Sequence, residues 1–321
     1  MINYQKKYWV FIIISFILIQ CTSNSSKKNT NNNIEEQTTL KQAITYYADG
    51  NYNESVKLLK ILENQNSINP EVYFYLALNY YDLKNLDISE VYCLKSLKLN
   101  PNQAKVYSEL SAINFNKKNF SKAEEYAIEA IKNDPKNGNS YINYSSTLAM
   151  LGKKEESEKQ LYEAAKVDPE SILNLANTYL MQHKNPKAAL YLLFILNKLY
   201  DSDPIVLLNI GNILRMINDR EKAIEYLKKA YDVTDKNHNM FKIIYSSYFR
   251  TLLNNKKYDE IVNNALEKFV DSSSYFFLAL AYFKQKNNGK FIEYANKYFE
   301  LRNEKKPESL IKWAEDQFNS N

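Results

Sequence analysis

Small residues recur along this chain at a spacing that only one kind of local structure explains. Ser55, Ser89, Ala123, Ser157, Ala188 and Ala223 each follow a polar turn, and Ile261 and Phe291 stand at two further turns. Successive steps between them are 34, 34, 34, 31, 35, 38 and 30 residues. Twelve residues before each lies a second marker: Ala43, Ala77, Ser111, Ser145, Ala176, Gly211, Phe249 and Ala279. Apolar residues between the markers recur at three- and four-residue steps, the period of an amphipathic helix. Each unit therefore reads as two helices that approach closely at their small residues. In the third unit Val106, Leu110 and Ile113 predict one buried stripe, and Tyr126, Ile128 and Ile131 the other. Phe249 and Ile261 make the seventh unit irregular, beside a longer break at residues 231–241.

Helix-breaking residues serve as punctuation. Pro70, Pro101, Pro135, Pro169, Pro204 and Pro307 fall between units, and Pro186, Gly50, Gly138, Gly152 and Gly289 fall at turns. Only Gly211 sits within a helix, at a packing position. Five Gly in 321 residues argue against phosphate-binding loops and β-sandwiches. Two His and two Cys leave too few ligands for a structural zinc site and exclude a disulfide framework. His183 lies in a turn and His238 in the long break, with no carboxylate or nucleophile recurring near them. No catalytic residue, metal or cofactor is expected. Forty-two Lys and Arg against 37 Asp and Glu are mixed along the chain, so no basic stripe marks a nucleic-acid partner.

The 34-residue period resembles the tetratricopeptide repeat. The second unit, YFYLALNYYDLKNLDISEVYCLKSLKLNP (73–101), and the third, VYSELSAINFNKKNFSKAEEYAIEAIKNDP (106–135), carry the resemblance best. The sixth has Ile210-Gly211 where the family has Leu-Gly. The resemblance spans about five sixths of the chain. It implies an all-α, right-handed solenoid of about eight helix-turn-helix repeats over residues 36–306. One unit cannot bury its own face, so neighbours must stack. Residues 307–321 are expected to form a C-terminal capping helix, with Leu310 and Trp313 inward and Glu315 and Asp316 outward.

The start of the chain reads as an address. Lys6 and Lys7 precede the uncharged run YWVFIIISFILIQ (8–20), too short to span a bilayer and the right length for a signal peptide. Leu18, Ile19 and Cys21 resemble the lipobox of bacterial lipoproteins, although Gln20 stands where that family prefers a small residue. The resemblance implies lipidation at Cys21, with residues 1–20 removed and 21–35 a polar, disordered tether. An uncleaved N-terminal anchor and cleavage after Ser23 are the alternatives. The expected location is the bacterial cell envelope, held to the membrane by lipid. If Cys21 is lipidated, Cys93 has no partner within the chain and reads as a buried thiol.

In the repeat family the first helix of each unit lines a concave groove. The resemblance places Phe74, Leu78, Tyr81, Phe115, Ile142, Ala149, Met150, Leu173, Leu180, Met181, Leu208, Arg215, Met216, Arg250, Leu253, Phe276 and Phe283 there. Asn143, Asn174, Asn177, Asn209 and Asn212 occupy matching first-helix positions, and Asn174 and Asn177 recur 35 residues on as Asn209 and Asn212. An amide both donates to and accepts from a peptide backbone. The pattern resembles the asparagine ladder of O-GlcNAc transferases, which implies capture of an extended polypeptide. It competes with an Asn-rich composition throughout the chain. Arg215 and Arg250 are candidates for a carboxylate clamp like that of chaperone-binding repeats, but the Lys such clamps carry early in the first helix is read as absent from units two to eight. The expected activity is a non-enzymatic scaffold for protein or peptide partners, with no nucleic acid and no small-molecule substrate. The alternative is a regulatory or assembly subunit of an envelope enzyme or of a secretion or pilus complex.

Overall fold

The computed structural model describes residues 34–319, so the apolar segment 8–20 and Cys21 lie outside the described residues. Within that range the chain is built of helices, with no strand. It divides into two compact units, Met1–Gln160 and Leu161–Asn321. The first unit begins with α1 (34–48) and α2 (Tyr52–Asn64). In it α3 (Pro70–Asp82) packs on α4 (Leu86–Leu99), and α5 (Ala104–Asn116) on α6 (Phe120–Asn133). Then come α7 (Gly138–Met150) and α8 (Lys154–Val167), inside which the division falls. In the second unit α9 (Pro169–Met181) packs on α10 (Pro186–Leu199), and α11 (Pro204–Met216) on α12 (Arg220–Val233). The hairpins α13 (Phe241–Asn254) with α14 (Tyr258–Asn264), and α15 (Ser272–Lys284) with α16 (Asn288–Arg302), precede α17 (Leu310–Asn319). Helix α1 takes in Ile34 and Glu35, which the sequence reading assigned to the tether. Glu35 and Glu36 suit a helix N-terminus, where the macrodipole favours negative charge.

Every hairpin turn among the described residues except that between α9 and α10 uses one device. Gly50, Lys84, Lys118, Gly152, Asn218, Lys256 and Lys286 all have positive φ. The following N–H then reaches back five residues, as from Asn85 to the Tyr80 carbonyl at 2.8 Å and from Asn119 to that of Asn114 at 2.8 Å. This closes the exposed carbonyls of the first helix. The same residue starts the second helix: the side chains of Asn85 and Asn287 accept from the N–H groups of Ile88 and Lys290. Asn69, Asn137 and Asn185 cap their helices with the side chain in the same way. Pro70, Pro169, Pro186 and Pro204 stand in the first turn of their helices, where a missing N–H costs nothing.

The small markers are where paired helices cross. Ser89 Oγ donates to the Ala77 carbonyl at 2.8 Å, Ser111 Oγ to that of Ala123 at 2.9 Å, and Ser157 Oγ to that of Ser145 at 2.8 Å. These three bonds join the two markers twelve residues apart. At Gly211 a Cβ would lie 2.6 Å from Leu227 Cγ, so the helix has no room for any side chain. The third-unit stripe needs one correction. Val106, Leu110 and Ile113 are buried, but Ile128 is 45% exposed, and the buried face of α6 is Ala123, Ala127 and Ala130. The inward face follows the small residues, because only they allow the close crossing.

The seventh unit departs where its markers do. Phe249 and Ile261 are both fully buried, and the second helix shrinks to the seven residues of α14. Phe249 packs at 4.4 Å between ring centroids from Tyr245, with Tyr231, Tyr248 and Phe277 around it. Large rings hold the two helices apart and fill the space between them. At the C-terminal end Trp313 of α17 packs on Phe276, Tyr298 and Phe299, and Phe318 stacks on Phe283. Leu310 joins this core, while Glu315 and Asp316 are exposed. Helix α17 thus sits on both helices of the last hairpin.

Gly211→Ala tests the crossing. Ala normally stabilises a helix interior by about 0.5–1 kcal/mol over Gly. Here overpacking against Leu227 dominates, and a net loss of about 1–2 kcal/mol is expected. Thermal or urea unfolding measures it; a stabilised variant would refute the crowding.

Candidate functional site

Successive first helices touch: α3 with α5 and α5 with α7 in one unit, α11 with α13 and α13 with α15 in the other. No successive second helices approach as closely among the described residues. A layer whose helices lie closer together forms the inside of a curve, so the first helices line the concave side of each unit. Helices α9 and α11 stand further apart than these pairs.

Several residues assigned to the groove are core instead. Phe74, Ile142, Leu208 and Leu253 are buried, at 8%, 9%, 4% and 3% exposure. Their positions point down between neighbouring first helices, and large side chains there are covered. Phe74 also lies under the Lys105 ammonium, 4.7 Å from its ring centroid. Leu78, Phe115, Leu173 and Leu180 are half-buried. Tyr81 is half-buried too, and its hydroxyl accepts from Asn116 Nδ2 at 2.7 Å. Phe276 and Phe283 are covered by α17. Ala149, Met150, Met181, Met216, Arg215 and Arg250 are exposed. Each of the three Met ends its helix.

The asparagines behave differently from their neighbours. Asn174 and Asn177 are exposed on α9; Asn143 on α7 and Asn209 and Asn212 on α11 are half-buried. None of the five side-chain amides has a hydrogen-bond partner among the described residues, and Asn212 Oδ1 is buried. Asn79, Asn114 and Asn197 on other helices also hold a buried amide oxygen without a partner. Asn79, Asn114 and Asn133 donate to the carbonyl four residues back. A buried amide oxygen left unpaired costs about 1–3 kcal/mol. Asn209, Asn212 and Arg215 follow at three-residue steps and share one face of α11.

That face leads into a basic cleft. Arg215, Lys242, Ile243, Ser246, Ser247 and Arg250 line about 430 Å³ between α11 and α13. The two arginines singled out in the sequence are thus brought together. The absence of an early Lys is overturned, since Lys105 and Lys242 are the second residues of α5 and α13. Lys105 is engaged with Glu71 at 2.9 Å. Lys242, Ser246 and Ser247 escaped the sequence reading because the bulky Phe249 obscures the register of the seventh unit.

A second feature was not anticipated. Glu109 on α5 is largely enclosed, and its Oε1 has no hydrogen-bond partner. Burial, reinforced by the charge of Asp82, pushes its carboxyl up to about 7. Burial also drives the Cys93 thiol well above its ordinary range, with Glu109 and Glu90 adding to the shift. Cys93 is therefore an inert core residue. His183 and His238 are exposed. Among the described residues no cluster of His, Cys, Asp and Glu is placed to hold a metal ion, and no helix is long and apolar enough to cross a membrane.

Comparison with known proteins agrees with the architecture. The tetratricopeptide-repeat family model matches residues 70–103, 104–137, 205–237 and 272–305. The chain therefore carries tetratricopeptide repeats, and its fold is the all-α repeat fold of that class. The irregular seventh unit lies outside these matches. Similar solved structures include Pseudomonas aeruginosa PilF, 20% identical over 78% of this chain and 96% of that one, with a TM-score of 0.36. YrrB, described as a repeat protein with an unusual peptide-binding site, is 19% identical over 57% and 94%, with a TM-score of 0.33. The first repeat domain of Spaghetti (RPAP3), bound to an HSP90 peptide, is 20% identical over 36% and 93%, with a TM-score of 0.36. At these TM-scores the likeness goes no further than the repeat itself. No curated protein matches the sequence. Repeats of this class generally serve as non-enzymatic interaction modules.

The Glu109 carboxyl makes stability depend on pH. Its folded value of about 7 lies above the ordinary 4.5, so the folded state holds the proton more tightly. Its contribution is full below pH 4.5 and is lost as pH rises through about 7. Denaturant titrations should show a loss of up to about 3 kcal/mol across that window. Glu109→Gln should remove this loss; an unchanged pH profile in the variant would exclude Glu109 as its source.

Proposed function

We propose that the chain is a lipid-anchored scaffold of a bacterial cell envelope that holds an extended polypeptide along the first helices of its second unit. The carrying observation is the set Asn174, Asn177, Asn209 and Asn212, whose amides have no partner among the described residues. An extended backbone presents a donor and an acceptor in every residue, and an amide answers both. Such capture is tolerant of sequence, since it reads the main chain. Exposed Met181 and Met216 beside it supply adaptable apolar contact.

Anchoring rests on the sequence around Cys21. The basic start, the 13-residue apolar run and the polar segment 22–33 suit a lipidated N-terminus on a tether. Acyl chains stabilise membrane attachment by about 0.8 kcal/mol for each buried CH₂.

Replacing Asn174, Asn177, Asn209 and Asn212 together by Ala should weaken capture of envelope polypeptides by about tenfold or more, from the summed loss of about 1 kcal/mol per hydrogen bond. Far-UV circular dichroism should show helicity retained, because Ala is the better helix former. Equal recovery of crosslinked polypeptide by both proteins from detergent-solubilised envelopes would sink the clamp. For the anchor, labelling with a fatty-acid analogue should mark the chain and fail in Cys21→Ala; label retained by the variant would refute lipidation there.

A further inference from the structure

The first unit carries on its concave side a carboxyl that its own contacts leave unanswered. Glu109 of α5 is largely enclosed, and its Oε1 is buried without a hydrogen-bond partner, yet the residue still reaches solvent. Other carboxylates of this unit are matched by lysines. Glu63 pairs with Lys60 and Lys95 at 2.8 Å, Glu90 with Lys117 at 2.7 Å, and Glu124 with Lys153 at 2.8 Å. Glu109 has no ion pair among the described residues.

Its place in the repeat is shared with the asparagines. Two residues before the markers Ser111, Ser145, Ala176 and Gly211 stand Glu109, Asn143, Asn174 and Asn209. The three amides have no partner among the described residues. Glu109 and Asn143 lie on α5 and α7, which are in contact within the first unit. An ionised carboxylate only accepts hydrogen bonds. A protonated carboxyl donates one O–H and accepts at its other oxygen, as an amide donates and accepts. The neutral acid is therefore the counterpart of Asn at this position.

The surroundings favour that neutral form. Burial, and then the charge of Asp82 on α3, push the carboxyl up to about 7. Asp82 itself accepts from the Tyr47 hydroxyl of α1. Tyr81 of α3, Tyr47 and Cys93 of α4 lie near enough to feel the charge of Glu109, and each is neutral in that range. Helices α6 and α7 supply none of these groups, and no cation is among them. A lysine or arginine of a partner would require the charged form, against both desolvation and the register with the amides.

We propose that Glu109, as the neutral acid, pairs with Asn143 to hold an extended main chain on the concave side of the first unit, and that ionisation of Glu109 releases it. This rests on reading the asparagines as a main-chain clamp, and it adds a control by pH that the amides of the second unit lack. In the neutral form the O–H donates to a peptide carbonyl and the other oxygen accepts a peptide N–H. In the charged form the donor is gone, and a negative charge faces the peptide carbonyl.

The test uses the full chain in detergent and fluorescence anisotropy with N-acetylated, C-terminally amidated peptides of Ala and Ser, which carry no titratable group. The chain with Asn174, Asn177, Asn209 and Asn212 replaced by Ala reports the first unit alone. Its affinity should fall about tenfold between about pH 5.5 and about pH 8.5. Circular dichroism at both values checks that the fold is kept. Adding Glu109→Gln should hold the low-pH affinity across the range, because the amide keeps its donor. Adding Glu109→Ala should give the weaker affinity at both ends. Calorimetry in buffers of different ionisation enthalpy should record uptake of about half a proton on binding at about pH 7.5, and none with Glu109→Gln. A purely stabilising role for Glu109 would leave that uptake at zero. Affinity independent of pH overturns the proposal, as does no binding by the first unit at either pH. So does a pH dependence that survives Glu109→Gln. A lysine-bearing peptide that alone binds, and more tightly as pH rises, assigns the carboxylate to a cation and also overturns it. The clamp is judged separately at about pH 8.5, where the parent should bind more tightly than the quadruple variant. If the two are equal there while the Glu109-dependent fall persists, the clamp of the second unit fails and the Glu109 inference stands.

Discussion

Two helix backbones can approach closely only where neither side chain intervenes, and each regular repeat of this chain is organised around one such crossing. At Gly211 the space is already filled by Leu227. At Ser89, Ser111 and Ser157 a hydroxyl spans the crossing to a carbonyl on the other helix. Those bonds satisfy buried polar atoms that a purely apolar contact would leave to chance. The crossing sets the hairpin, the hairpin presents an apolar face, and that face needs the next repeat to cover it. The turns and caps are consequences of the same economy. At Asn85 and Asn287 one residue closes a helix with its N–H and opens the next with its side chain, so the connection needs almost no chain.

In the seventh unit that crossing is lost. Phe249 and Ile261 cannot approach as Ala and Ser do, and Tyr231, Tyr245, Tyr248 and Phe277 fill the widened gap. The second helix shortens to α14. The first helix survives, and it is this helix that carries Lys242, Ser246, Ser247 and Arg250. The unusual repeat and the unusual charge therefore coincide on α13. A dense aromatic core beneath them gives the charged residues a rigid base, because the rings leave little freedom for the backbone to move.

The concave side is less open than a uniform groove would be. Phe74, Ile142 and Leu208 occupy matching places on their helices and, like Leu253 near the end of α13, turn inward, where neighbouring first helices cover them. Of the asparagines one step away, Asn174 and Asn177 are exposed and Asn143, Asn209 and Asn212 half-buried, and their side chains have no partner among the described residues. The two populations are separated by about one third of a helical turn, the rotation between adjacent residues. That difference decides which residues hold the solenoid together and which are free to meet a partner.

The sequence by itself determined the repeat, its period and its two small-residue markers, because each depends on contacts between residues close in the chain. It also pointed to Gly211 as a packing residue and to Arg215 and Arg250 as candidates for one site. Tertiary structure alone decided which first-helix positions face outward, since neighbouring helices cover or expose a side chain according to their spacing. It brought Arg215 of α11 beside Lys242, two serines and Arg250 of α13 across a helix-helix contact, where the large Phe249 hides the register in the sequence. It also enclosed Glu109, whose raised pKa arises from burial and from Asp82 on a neighbouring helix. Local patterns are written in periodicity, whereas desolvation and charge proximity exist only once helices from different repeats have come together.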